Sequence, residues 1–169
     1  TAQMAVQAAL TGHLVLSTLH TNDAPSAITR LLDLGLPHYL IASTLNGVLA
    51  QRLVRTLCPH CKVPRAPSAE AWSALLPGTL AQPLPAAACA PVGCLECRNT
   101  GFLGRVGLYE LMPVTARLRA LVRPDMELAG FSRAAQEDGL RTLRLAGAQK
   151  VAQGLTTVEE VLTVLPPSE

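Results

Sequence analysis

Apolar residues recur at helical spacing over residues 2–10 (A-Q-M-A-V-Q-A-A-L), a stretch of good helix formers that predicts a short helix stopped by Thr11-Gly12. Residues 14–19 differ. They form a nearly continuous apolar run rich in β-formers, which predicts a strand buried on both faces, as in a parallel sheet. Helical spacing resumes over 24–34, with Asp23 as N-cap, Pro25 near the first helical position and Gly35 ending the helix. Pro37 opens a further helix to about Val48, and residues 49–57 (L-A-Q-R-L-V-R-T-L) predict a second strand. After Cys58 the periodicity fades. Seven of the thirteen prolines fall between 59 and 91, so this stretch reads as a loop-rich insertion with one short helix near 69–76. Strand character returns over 105–113. Three helices follow, at about 115–122, 129–137 and 139–152, with Gly154 as the closing C-cap. Thr156 and Thr157, followed by Glu159 and Glu160, start a final helix that Pro166 and Pro167 terminate.

A chain of 169 residues makes one ordinary domain or two small ones. With 49% apolar and 15% charged residues it has enough material for a core and is not a disordered segment. It contains no run of 18 uninterrupted apolar residues, which excludes a membrane-spanning helix. The net charge is +2, from 14 basic and 12 acidic residues, and aromatics make up 3%. That balance gives neither an electrostatic footprint nor a stacking platform for nucleic acid, so no direct nucleic-acid partner is expected. The chain opens on Thr1 and goes straight into a helical pattern with no secretory signal, and the expectation is an internal or C-terminal piece of a longer protein.

Four of the five cysteines form two C-x-x-C pairs, Cys58-Pro-His-Cys61 and Cys94-Leu-Glu-Cys97, 32 residues apart. Each pair can fold into a tight knuckle presenting two thiolates, and two knuckles complete a closed, structural, four-thiolate zinc site. The metal ligands predicted are thus Cys58, Cys61, Cys94 and Cys97. Arg55, Lys62, Arg65 and Arg98 are close enough in sequence to offset the negative charge of such a centre. Two unrelated thiol pairs or a redox dithiol are the alternatives. His60 and Cys89 are expected to be a bystander and a free thiol.

Residues 11–22 (T-G-H-L-V-L-S-T-L-H-T-N) carry an apolar run into a polar cluster. In parallel α/β sheets, ligands bind beyond the carboxyl ends of strands, so His20, Thr18, Thr21 and Asn22 are candidates to hydrogen-bond a phosphate oxygen or a water. His13 begins the run. If extended, it stands roughly 20 Å from His20, so the two are not expected to meet one ligand atom. The competing reading is a turn in which Thr21, Asn22 and Asp23 merely cap the next helix.

The strings T-A-Q-M-A-V-Q-A-A-L-T-G-H-L-V-L-S-T-L-H-T-N-D-A and A-Q-R-L-V-R-T-L-C-P-H-C strongly resemble the C-terminal part of the ATPases that drive bacterial type II secretion and type IV pilus assembly. The resemblance continues through C-L-E-C-R-N-T-G-F-L-G-R-V-G-L-Y-E-L and G-L-T-T-V-E-E-V-L and leaves out residues 63–91. The paired cysteines favour the secretion and assembly branch over the retraction branch. The resemblance implies an α/β fold: the C-terminal part of a RecA-like P-loop ATPase domain, with a loop-rich tetracysteine zinc subdomain and a C-terminal helical subdomain. In sequence these fall at 1–57 (ATPase domain), 58–97 (zinc), 98–114 (a strand returning to the ATPase core) and 115–169 (helical). By position, His20 matches the family's γ-phosphate contact or sensor, His13 a supporting member of the same histidine box, and Arg105 an arginine linked to ATPase function. An arginine suits that role because its charge is permanent and its fork matches phosphate. A salt bridge of Arg105, for example with Glu110, is the alternative.

The resemblance further implies ATP and Mg²⁺ in the full-length protein, a homo-hexamer, and contact with an inner-membrane platform protein and cytoplasmic domains of secretion or pilus components. The location it implies is cytoplasmic, peripheral to the inner membrane. No G-x-x-x-x-G-K-[ST] occurs in these residues. In the family, the phosphate cradle, the Mg²⁺ ligand and the catalytic glutamate precede the position matching Thr1, so this chain alone is expected not to hydrolyse ATP. A non-enzymatic zinc-stapled interaction module is the second reading.

Overall fold

The computed structural model describes residues 1–76, 78 and 82–166. They form helices α1 (Ala2–Leu10), α2 (Ser26–Asp33), α3 (His38–Thr44), α4 (Ala69–Leu75), α5 (Ala116–Leu121), α6 (Leu128–Glu137), α7 (Leu143–Ala152) and α8 (Val158–Val164). The strands are β1 (Gly47–Leu57), β2 (Val63–Pro64), β3 (Cys89–Ala90) and β4 (Phe102–Pro113). The molecule is mixed α/β, with β1 paired to β4 and β2 to β3 in two-stranded sheets. β2 and β3 run antiparallel. The Val114 N–H donates to Asn46 and the Cys58 N–H to Gly101, so β1 and β4 run antiparallel as well.

Contacts divide the chain into two units, Thr1–Ala50 with Glu110–Arg141, and Gln51–Tyr109 with Thr142–Glu169. In the first, α3 packs on α1, α2 and α5, and α5 packs on α6. Its core includes Ala24, Ile28, Ile41, Met112, Leu118 and Phe131. Arg119 donates to the Ala42 carbonyl and the Asn46 side chain, serving the last turn of α3. In the second unit α8 packs on α4 and α7, over a core that includes Val54, Leu75, Leu108, Val151 and Val161. Gly147 allows the close approach of α7 and α8, since a Cβ there would stand 2.5 Å from Val161 Cγ1. Trp72 of α4 is buried, and its indole N–H donates to the Gln82 carbonyl at 2.7 Å. Arg144 donates to the carbonyls of Ala74 and Leu165, a cation serving the last turns of α4 and α8 together.

The expected strand over 14–19 is not formed. Residues 13–20 have no regular secondary structure and all are exposed, Leu14 at 82% and Leu16 at 88%. A strand exists only through hydrogen bonds to a neighbour, and no described strand lies beside this segment. Nor is there a parallel pair among the described residues. The helix opened by Pro37 ends at Thr44 rather than near Val48, because Val48 belongs to β1. The helix expected from 139 begins at Leu143: Gly139 sits at φ +99 and Thr142 caps the first turn through the Leu145 N–H. Asp23 does supply its carboxylate to the Ser26 N–H at 2.8 Å, although Pro25 occupies the N-cap position. The expected stop at Pro166 agrees with the end of α8, and Pro167 lies outside the described residues.

Candidate functional site

The four predicted cysteine ligands come together in the second unit. The Sγ atoms of Cys58, Cys61, Cys94 and Cys97 all lie within 4.8 Å of one another. Cys58 and Cys94 are 3.9 Å apart, Cys61 and Cys97 3.9 Å, and Cys94 and Cys97 3.8 Å. Thiolates at about 2.3 Å from a tetrahedral zinc ion stand about 3.8 Å from one another, so the cluster has the dimensions of a four-thiolate metal site. The first knuckle turns through the Cys61 and Lys62 N–H groups, which both donate to the Cys58 carbonyl. In the second, Arg98 donates to Leu95 and Asn99 to Cys94, with Arg98 and Asn99 at φ 54 and 59. The Cys58 N–H donates to the Gly101 carbonyl at 2.9 Å and joins the two knuckles.

Backbone amides point at the sulfurs. The Gly93 N–H donates to Cys61 Sγ at 3.3 Å, and the Cys94 and Gly101 N–H groups donate to Cys97 Sγ at 3.2 Å each. Burial pushes the Cys58 thiol up to about 11, helped by the thiols of Cys94 and Cys61. Burial also pushes Cys97 upward, but the two backbone N–H groups and the neighbouring thiols outweigh it and bring this thiol down to about 6. The two backbone amides thus favour negative sulfur at Cys97, as a metal ligand requires, whereas burial opposes it at Cys58. Two glycines make the knuckle possible. A Cβ at Gly93 would lie 2.9 Å from the Asn99 carbonyl oxygen, and one at Gly101 2.4 Å from Pro91 Cβ. The spacing of the cysteines pointed to the ligands. The glycine directly before Cys94 is the signal in the sequence for this close approach.

His60 is exposed, and Cys89 is a free, half-buried thiol outside the cluster. Two of the four cations near the cysteines have other tasks. Lys62 Nζ donates to the Gly154 carbonyl at 2.8 Å. Arg55 donates through Nε and Nη2 to Glu160 at 3.0 and 2.7 Å, and its guanidinium lies 4.3 Å from the Phe102 ring centroid. These bonds, with Leu57 N–H to Leu155 and the Thr156 hydroxyl to Arg55, tie the α7–α8 turn to the strand entering the first knuckle.

The polar candidates lie mostly at the surface. His20, Thr18 and Asn22 are exposed, and the half-buried Thr21 donates its hydroxyl to the Asp23 carbonyl at 3.1 Å. His13 Nδ1 lies 3.0 Å from Thr11 Oγ1 and 3.3 Å from the Ala8 carbonyl, at the end of α1. Arg105 is exposed on β4 of the second unit, where its charge helps to lower Glu160. Sequence reasoning gave no role to the contact that anchors the far end of the histidine segment: the buried Glu110 accepts the Ala24 N–H at 2.7 Å.

The sequence matches the model of the family described as Type II/IV secretion system protein over residues 1–163. It is 52% identical over 166 residues to a type IV pilus assembly ATPase, TfpB, of Acinetobacter baylyi, covering 98% of this chain and 28% of that protein. It is 51% identical over 165 residues to type II secretion system protein E of Pseudomonas aeruginosa, covering 97% of this chain and 32% of that protein. The chain thus spans about a third of the length of these relatives. Its fold is similar to that of the pilus retraction motor PilT solved with bound ADP, with a TM-score of 0.61 at 23% identity over 98% of this chain and 36% of that one. The family match over residues 1–163, and relatives that agree with nearly the whole chain, show that it belongs to the type II/IV secretion system protein family.

Proposed function

We propose that the protein carrying this chain is an ATPase of type II secretion or type IV pilus assembly, and that this chain supplies its phosphate-sensing segment and its metal-stapled subdomain. The observation that carries this reading is the identity of about half the residues to an assembly ATPase and a type II secretion protein E alike, along nearly the whole chain. On this reading, residues 1–57 and 98–114 complete a RecA-like ATPase domain. Residues 58–97 form the zinc subdomain and 115–169 the helical one. The working assembly is a cytoplasmic homo-hexamer that couples hydrolysis to an inner-membrane platform. No helix of the described residues is long and apolar enough to cross a membrane.

The residues divide the chemistry as follows. His20, exposed at the end of its segment, donates a hydrogen bond to a γ-phosphate oxygen of ATP and so distinguishes triphosphate from diphosphate. Thr18, Thr21 and Asn22 offer neutral donors to phosphate or to the attacking water. His13 braces the near end of the segment through Thr11. Arg105 offers a permanent charge for the negative charge that develops on phosphoryl transfer. Mg²⁺ would be held by residues outside this chain. Zinc, in the four-thiolate cluster, would supply a closed cross-link and no chemistry on the substrate.

The test is ATP hydrolysis by the whole protein and by this 169-residue chain alone. Turnover by the whole protein that falls about a hundredfold in His20→Ala supports the reading. Absence of turnover in the whole protein overturns it, and turnover by the isolated chain overturns the assignment of the phosphate cradle to residues outside it.

A further inference from the structure

Glu110 lies in the part of β4 that belongs to the first unit and is 3% exposed. Its Oε1 accepts the Ala24 N–H at 2.7 Å, a contact across 86 residues of chain. Ala24 is fully buried and stands four residues after His20, just before α2. Around it the chain is locally closed: the Thr21 hydroxyl donates to the Asp23 carbonyl, and Asp23 Oδ1 accepts the Ser26 N–H. Residues 21–26 thus form one hydrogen-bonded turn, fixed from β4 by a carboxylate. Residues 13–20, by contrast, are exposed and carry no regular secondary structure. Where this segment ends in space is set by where Ala24 is held. A carboxylate accepting a backbone N–H away from water makes a strong, directional bond, and an apolar side chain in its place would leave the Ala24 N–H without a partner.

We propose that Glu110 is a positioning residue for the nucleotide site: through Ala24 it fixes the turn that carries Asn22 and Thr21, and hence the placement of His20 against the phosphate. The proposal rests on the ATPase reading above. It separates two roles for one buried carboxylate, since a group needed only for folding would lower stability without selectively changing turnover.

The experiment uses the whole protein with Glu110→Gln, Glu110→Ala, and Glu110→Ala combined with His20→Gln. Glutamine retains an oxygen acceptor for the Ala24 N–H, so Glu110→Gln is expected to keep kcat within about threefold of wild type. Glu110→Ala is expected to lower kcat about tenfold or more with the KM for ATP changed much less. It should cost little further in the His20→Gln background, because both changes then disable the same contact. Amide exchange should accelerate at Ala24 and its neighbours in Glu110→Ala while α6 keeps its protection. The proposal is overturned if Glu110→Ala leaves kcat unchanged, if its loss multiplies fully with that of His20→Gln, or if exchange rises equally throughout the first unit. If Glu110→Ala does not fold, Glu110→Asp, which shortens the tether by one methylene, is judged by the same criteria. A wild-type protein without ATP turnover fails the ATPase reading itself, whereas active wild type with indifferent Glu110 variants fails this proposal alone.

Discussion

One methyl group is enough to test the knuckle at Gly101. A Cβ there would stand 2.4 Å from Pro91 Cβ, at φ +77, and the same residue's N–H donates to Cys97 Sγ. Gly101→Ala is therefore expected to weaken zinc binding about 10–100-fold in a chelator competition, while a substitution at exposed Glu96 leaves it unchanged. The pair Arg55–Glu160 offers a second test. Glu160 is nearly buried and accepts both the Arg55 backbone N–H and its guanidinium. Glu160→Ala removes the acceptor of both donors; the half-exposed guanidinium regains water, so the cost in denaturant unfolding should be about 0.5–1.5 kcal/mol. The bond to Arg55, working against burial, holds the Glu160 carboxyl below its ordinary value of 4.5. Its contribution is therefore complete above about pH 4.5 and is lost as pH falls through the lower folded value. The wild type should lose more stability than Glu160→Gln between pH 5 and pH 3, by a modest amount because the Arg55 side chain is 52% exposed. The cysteine ligands were legible because each pair is local in sequence. The partners Glu160 of Arg55 and Ala24 of Glu110 lie 105 and 86 residues away, and no local pattern marks them.

Most helices are legible in the sequence, though α7, expected from 139, begins at Leu143 behind its Thr142 cap. α1 fills its expected range, α4 starts behind Ser68, whose side chain accepts the Ala71 N–H, and α8 behind Thr157, which accepts the Glu160 N–H. Thr157→Ala should cost about 1 kcal/mol. The element that failed is the apolar run at 14–19, because apolarity reports a demand for burial and not the neighbour that meets it. The brief pair β2 and β3 was missed for the opposite reason: two residues are too few to show a period. The turn between α7 and α8 is bonded to Lys62, Leu57 and Arg55, residues flanking the first knuckle. Removing the metal with a chelator should therefore accelerate amide exchange over 154–160 as well as within the knuckles, and leave α6 as it was. Protection of 154–160 that survives metal removal would show that the turn is held without the knuckle.

For the molecule as a whole, metal analysis should return about one zinc per chain, lost on Cys→Ser change at any of the four clustered positions and retained in Cys89→Ser. The exposed segment with Leu14 and Leu16 is expected to act collectively in the isolated chain, since an apolar stretch outside any sheet can pair with other chains. Light scattering of the 169-residue chain should rise with concentration, and Leu16→Lys should suppress the rise. Scattering indifferent to that change would place the sticky surface elsewhere. The mixture of helices and strands is legible from their signals along the chain, while the division into two units is not, because both units draw on the N- and C-terminal halves of the sequence. The single tryptophan of this 169-residue chain, Trp72, belongs to the second unit and is buried there with its indole bonded to Gln82. Nature has thus built a one-channel optical reporter into the molecule: the emission spectrum follows the unit that contains the cysteines, while far-ultraviolet circular dichroism sums both. Superimposable melting curves from the two signals would mean that the halves come apart as one cooperative body, and a gap between them would give the second unit a melting point of its own, with no label added.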